Sequence, residues 1–248
     1  MFIQIHNRKI HYKQMGSGDP IIFIHRWGGD GYSLHSLAAL AAQTHTVFTI
    51  DLPGFGKSEN PPRHWGLEGY AFVIKEFIAK KHLKDVTLVG HGIGSAIAIT
   101  LISEAPQLIS KYVLISCPIN RNIHISPAAK IMRKIPRNAP IMKFFYPSVM
   151  RLYYHLFHNA SELHVNPALE ANFRKIILQD VKQKLKRCMI PTLIVWGEND
   201  TVTPVIHAHE IHQLISHSQI AIIPKGLHDV PMENPSEVWG KISSFLVP

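Results

Sequence analysis

Residues 86–95, Val-Thr-Leu-Val-Gly-His-Gly-Ile-Gly-Ser, constrain this chain more than any other stretch. Val86, Leu88 and Val89 form a short apolar run, and Ala96, Ile97, Ala98, Ile99, Leu101 and Ile102 open an apolar run of helical character. The two are joined by Gly90-His91-Gly92-Ile93-Gly94, a glycine-rich turn with no room for a linker. This is a strand that passes straight into a helix.

The rest of the chain repeats that alternation. Met1–Ile5 and Lys9–Gln14 predict a β-hairpin around Asn7-Arg8. Pro20–His25 and Thr46–Asp51 are near-continuous apolar runs, as expected of parallel strands covered on both faces. Helical spacing marks Tyr32–Gln43 and about Leu67–Lys81, the latter with Tyr70, Val73, Ile74, Phe77 and Ile78 on one stripe. Strand Tyr112–Ser116, strand Thr192–Trp196, helix Val205–Ile215, strand Gln219–Pro224 and helix Pro235–Leu246 follow. Such alternation predicts an α/β fold, a mostly parallel sheet flanked by helices.

One segment breaks the pattern. Residues 118–187 hold six prolines (118, 127, 136, 140, 147 and 167), show no clear strand, and predict several short helices. The insertion leaves after one sheet strand and returns before the next, which places it over the carboxyl ends of the strands, where open α/β sheets bind ligands. The expected organisation is a core of residues 1–117 and 188–248 with 118–187 as a helical cap. Thirteen of the 26 lysines and arginines lie between residues 117 and 190 against three acids, Glu162, Glu170 and Asp180, so this module carries the whole net charge of +9. Its bases are mixed with large apolar residues such as Phe144, Phe145, Tyr153 and Phe157. They are expected to pack on the core and line an apolar pocket, with the charges solvated, rather than to meet a membrane or nucleic acid. No run of 18 apolar residues and no signal-peptide layout are present, and two cysteines, Cys117 and Cys188, make no disulfide framework. A cytoplasmic setting and free, buried thiols follow as expectations.

Five motifs stand at the carboxyl ends of the predicted strands. They are His25-Arg26-Trp27-Gly28-Gly29, Asp51-Leu52-Pro53-Gly54-Phe55-Gly56, the turn 90–94, Gly197-Glu198-Asn199-Asp200, and Gly226-Leu227-His228. In this order they resemble the α/β-hydrolase superfamily over nearly the whole chain. The turn at 90–94 has the layout of that family's Gly-x-Ser-x-Gly nucleophile elbow, with Gly92 at the serine's place. The resemblance implies Asp200 and His228 as acid and base: the histidine takes the nucleophile's proton and the acid fixes its tautomer. It assigns the oxyanion N–H groups to Trp27 and Ile93 and sets His25, Arg26 and His91 at the pocket mouth. Asp200 as a helix cap and His228 as a satisfied loop histidine are the blander alternatives. Neither Ser95, inside the first helical turn, nor Ser58, in another loop, is expected to replace the nucleophile.

Two departures from the family pattern set the functional expectation. Gly92 removes the hydroxyl, yet glycine suits a strained corner that would cost another residue about 1–3 kcal/mol. Arg26 stands where the family usually has glycine, beside the oxyanion hole. An engineered replacement of serine explains Gly92 alone; a natural loss explains both. The expected activity is that of a carboxylic ester or lactone hydrolase lineage acting on small apolar substrates, feeble or absent in this chain. The alternatives are a non-catalytic ligand-binding protein or a cofactor-independent dioxygenase that uses the His228–Asp200 dyad as base. No metal-ligand cluster, phosphate loop or nucleotide fingerprint is encoded, and no cofactor is expected.

Overall fold

The computed structural model describes residues 1–119 and 167–247. At its centre lies one eight-stranded sheet. Strands β1 (Phe2–Ile5), β2 (Arg8–Met15), β3 (Pro20–Ile24), β4 (Thr46–Ile50), β5 (Val86–His91), β6 (Ile109–Ile115), β7 (Thr192–Gly197) and β8 (Ser218–Ile223) run in the order β1-β2-β4-β3-β5-β6-β7-β8. Pairs from β4 to β8 are parallel, and β2 is antiparallel to both of its neighbours. The first hairpin turns on His6-Asn7, one residue earlier than the sequence indicated, with φ of 47° and 58°. Two consecutive left-handed residues match the twist of the flanking strands.

The apolar runs are continuous because each strand feeds two cores. Ile22, Ile24, Phe48, Ile50, Leu88, Leu114 and Trp196 point into one layer, whereas Ile21, Phe23, Val47, Val89, Val113 and Val195 point into the other. Helices α2 (Leu67–Lys80) and α3 (Ile93–Glu104) cover the first face, and α1 (His35–Ala41) contributes Leu37, Ala38 and Ala41 to the second. Every residue of β5 is buried, so this strand and the apolar α3 form the middle of the fold. The expected helix from Tyr32 starts only at His35. Asp30 Oδ1 accepts the N–H groups of Tyr32 (3.0 Å) and Ser33 (2.9 Å), and this turn replaces the first helical turn. β6 begins at Ile109, three residues before the predicted start, because Val86 extends its pairing to that residue.

Of the predicted cap, residues 120–166 lie outside the described residues. The remainder is helical, a 3-10 turn at Pro167–Leu169 followed by α4 (Glu170–Ile177) and α5 (Lys182–Lys186). Leu169, Phe173, Ile176, Val181 and Leu185 join the same core as α2 and α3. Polar ties fix the segment: the Leu67 N–H donates to Gln179 Oε1 at 2.7 Å, and Lys184 Nζ lies 2.9 Å from Glu68 Oε1. Burial alone would raise the Glu68 carboxyl, but hydrogen bonds from Gln179 and Lys184 hold it down at about 2. After β7 come α6 (Ile206–Leu214), the short α7 (Val230–Glu233) and α8 (Pro235–Leu246). Cys117 and Cys188 are buried, and no disulfide joins them. Among the described residues, no helix is long and apolar enough to cross a membrane.

Candidate active site

The corner between β5 and α3 depends on its three glycines in two different ways. A Cβ on Gly90 would stand 2.6 Å from Ser95 Cα, and one on Gly94 would stand 2.2 Å from the Ile24 carbonyl oxygen. Both positions exclude side chains because α3 approaches β5 and β3 so closely. Gly92 is different. Its backbone lies at φ 56°, ψ −121°, a conformation that disfavours any residue with a Cβ. A Cβ there would be crowded by Arg26, whose Cβ would lie at 3.0 Å, with His228 Nε2 at 3.9 Å as the next side-chain atom. The serines nearby are engaged elsewhere. Ser95 is fully buried and its Oγ donates to the Gly90 carbonyl at 2.6 Å, and Ser58 Oγ donates to the Asp51 carbonyl at 2.6 Å.

Asp200 follows β7 and His228 follows β8, and the structure joins them. His228 Nδ1–H donates to Asp200 Oδ2 at 2.8 Å, leaving Nε2 directed toward residue 92. Thr203, which no motif in the sequence marks, completes the pair. Its Oγ1–H donates to Asp200 Oδ2 at 2.7 Å, and its oxygen lies 3.2 Å from His228 Nδ1. Asp200 Oδ1 accepts the N–H groups of Val202 (2.9 Å) and Thr203 (2.8 Å), so it also caps the following turn. Asp200 does not cap the next helix, whose N-cap is Val205 with no side-chain bond; one oxygen holds the turn and the other meets His228. Burial pushes its carboxyl up, but the bonds from His228 and Thr203 outweigh that and hold it below the usual carboxylate range.

The loop after β3 corrects two assignments. His25 and His91 are each only 1% exposed and do not line a mouth. The Leu52 N–H donates to His25 Nε2 at 3.0 Å, so His25 Nδ1–H donates to the Arg26 carbonyl at 2.7 Å. This neutral imidazole pins the β3 loop to the β4 loop. His91 Nε2–H donates to the His228 carbonyl at 3.0 Å and holds the histidine loop from beneath. Burial lowers both imidazoles, His91 well below its ordinary value with the neighbouring His228 adding to the effect. Side chains in this interior position support backbone; they do not meet a ligand.

Arg26 does stand at the rim, with its side chain 22% exposed. Its Nε lies 2.7 Å from Asp229 Oδ1, and Nη2 donates to Asp229 Oδ2 at 3.4 Å. Asp229 is a second residue that the sequence did not single out, because nothing along the chain connects positions 26 and 229. Trp27 is buried, its ring packed on Phe55 (4.8 Å) and Phe173 (5.1 Å). Ile93 opens α3, where an N–H has no intrahelical acceptor. Neither the Trp27 nor the Ile93 N–H has an acceptor among the described residues. Beside Ile93 runs a narrow cleft lined by Leu67, Ala96, Ile119, Ile176, Val181 and the polar Gln179, with about 20 Å³ of room, little more than one water needs. Among the described residues, no three His, Cys, Asp or Glu side chains gather as a metal would require.

Comparison with known proteins gives this arrangement its context. A hydrolase of Bacillus subtilis, YugF, is 22% identical over 95% of this chain and 92% of its own length. A structure described as Est816, an N-acyl homoserine lactone degrading enzyme, superposes with a TM-score of 0.80 at 24% identity, covering 99% of this chain and 100% of that one. An esterase from Exiguobacterium antarcticum superposes with a TM-score of 0.76 at 20% identity over 98% of each chain. These likenesses establish the fold. The model of the alpha/beta hydrolase family matches residues 21–240, from β3 into α8 and across all five loops, and the chain belongs to that family.

Proposed function

We propose that this site binds a small carboxylic ester or lactone and hydrolyses it only feebly, by direct attack of water. The observation that carries the reading is the His228 imidazole. It is held by Asp200 at 2.8 Å and presents Nε2 3.9 Å from the point where a residue-92 Cβ would begin. In a triad that nitrogen receives the nucleophile's proton. With glycine at position 92 no acyl-enzyme can form, and the remaining acceptor is a water in the space beside Gly92. His228 takes the proton of that water as its oxygen adds to the ester carbonyl. The oxyanion rests on the Trp27 and Ile93 N–H groups, and the same proton passes to the departing alkoxide. An unanchored water forgoes most of the advantage of a fixed nucleophile, so turnover is slow.

The printed descriptions of Est816 and of the Exiguobacterium antarcticum protein support the substrate class, since one names lactone degradation and the other an esterase. Incubation with a serine-directed phosphonate, followed by mass spectrometry, tests the missing nucleophile, and no stoichiometric adduct is expected. Activated short-chain esters should be consumed slowly, without a burst, and His228→Ala should remove that turnover. An adduct on any serine, or a rate indifferent to His228→Ala, would refute the proposal. A second reading, ligand binding without turnover, draws support from Arg26, whose stem stands 3.0 Å from the vacated position.

A further inference from the structure

We infer that the vacated nucleophile site is a receptor for a free carboxylate, recognised by Arg26 over Gly92; the inference rests on position 92 being the ligand-binding centre. The first support is steric. The two departures from the family pattern touch: a Cβ at residue 92 would come within 3.0 Å of Arg26 Cβ and 3.7 Å of its Cα. A contact of 3.0 Å requires the neighbour to yield, and a residue-92 side chain would meet the arginine stem first. Glycine at 92 and arginine at 26 are therefore matched, since each leaves the space the other needs.

The guanidinium supplies the second support. One N–H of Nη1 donates to the Trp27 carbonyl at 3.2 Å, and the side toward Nε faces Asp229. Arg26 Nε and Asp229 Oδ1 are buried and close, yet neither makes an aligned hydrogen bond. A guanidinium has five N–H donors in a planar fork. Nη1 and Nη2 carry two N–H groups each and make one bond each, so each keeps one N–H with no acceptor among the described residues. Two such charged donors suit the two oxygens of a carboxylate. Asp229 is 30% exposed in its side chain, so water competes for it and it neutralises Arg26 only in part.

The chemistry of the remaining groups agrees. An ester needs an attacking group and offers only one weak acceptor at its carbonyl. A carboxylate needs none and offers two oxygens to Arg26 and to the Trp27 and Ile93 N–H groups. The ligand class is an acid with an apolar tail, the same chemical class as the acid product of ester hydrolysis.

The test uses the full chain and calorimetric titration with straight-chain carboxylic acids of two to ten carbons, each paired with its primary amide and methyl ester. At least one acid should bind roughly tenfold or more tightly than its amide, the difference expected when a charged hydrogen bond replaces a neutral one. Arg26→Gln should erase that preference while leaving amide binding in place. Asp229→Asn, which frees the guanidinium, should strengthen acid binding several-fold. Gly92→Ser should weaken it. Equal binding of acid and amide, a preference that survives Arg26→Gln, or no acid binding at millimolar concentration would each overturn the inference. Ester binding with slow turnover but no preference for the acid overturns it while sparing the hydrolytic reading. Acid preference without any hydrolysis upholds it and removes that reading.

Discussion

Restoring the hydroxyl by Gly92→Ser is the perturbation whose consequences the structure fixes most closely. A serine at φ 56°, ψ −121° occupies a backbone region that costs about 1–3 kcal/mol. The unfolded chain loses freedom when glycine is replaced, which offsets about 0.4–1 kcal/mol. The 3.0 Å approach to Arg26 Cβ adds to the cost, and a net destabilisation of about 1–2 kcal/mol remains. For a chain of this size each kcal/mol lowers Tm by about 2–4 °C, so Gly92→Ser should melt about 2–8 °C below the parent. The new Oγ lies one bond beyond a Cβ that is 3.9 Å from His228 Nε2, within reach of a hydrogen bond. In the single variant the arginine stem crowds this position. Adding Arg26→Gly removes the nearest atom, and the double variant should hydrolyse activated esters or lactones at least about a few hundredfold faster than the parent. Differential scanning fluorimetry, initial rates and phosphonate labelling read the three quantities. A Tm equal to or above the parent's would refute the strain argument. A folded double variant that neither labels nor turns over would refute the assignment of residue 92 as the nucleophile's place.

Other expectations follow from individual contacts. Gly94→Ala should prevent accumulation of folded protein, because its Cβ would stand 2.2 Å from the Ile24 carbonyl oxygen and neither backbone can yield; normal expression and an unchanged melting curve would count against it. Thr203→Val should leave the His228–Asp200 pair in place but withdraw the hydroxyl that donates to Asp200 at 2.7 Å, costing about 1–3 kcal/mol at this buried carboxylate, measurable by urea unfolding. The buried, neutral His25 and His91 have folded pKa values below 6.5, so the folded state binds fewer protons there than the unfolded one. Their contribution is complete above pH 6.5 and is lost as pH falls below it, up to about 1.4 kcal/mol per pH unit for each. Denaturant midpoints from pH 8 to pH 5 should therefore fall on the acid side, and a flat profile would contradict the burial of these rings.

Most of the sheet was legible because its strands are covered on both faces. Pro20–Ile24 and Thr46–Ile50 alternate between two cores, and both cores demand apolar residues, so the runs stand out without any periodicity. The five loops were legible for a related reason: each follows such a run, and their order along the chain is a topological signature. What escaped depends on contacts between distant positions. The exchange of His25 and His91 from mouth to interior is decided by the Leu52 N–H and the His228 carbonyl, neither of which is adjacent in sequence. Thr203 was not singled out because a threonine three residues past an acid is also an ordinary turn residue, and here it is both. The short α7 carries Pro231 at its start and too few residues to show a helical period.

The same distribution of constraints explains how this corner keeps its shape with glycine at residue 92. Gly90 and Gly94 are fixed by helix–strand packing, and Ser95 by its bond to the Gly90 carbonyl and by the Tyr112 hydroxyl that donates to its own carbonyl at 2.7 Å. None of these contacts passes through residue 92. His228 is held from its own side by Asp200, Thr203 and His91, and the pairing of Nδ1 does not depend on a partner at Nε2. The scaffold thus places no demand for a side chain at 92, and glycine avoids the strain that φ 56° would impose on another residue. Arg26 stands beside this position, its Cβ 3.0 Å from where a residue-92 Cβ would be. If the proposed acid binding holds, Gly92 and Arg26 are two parts of one site, since each leaves the space that the other needs.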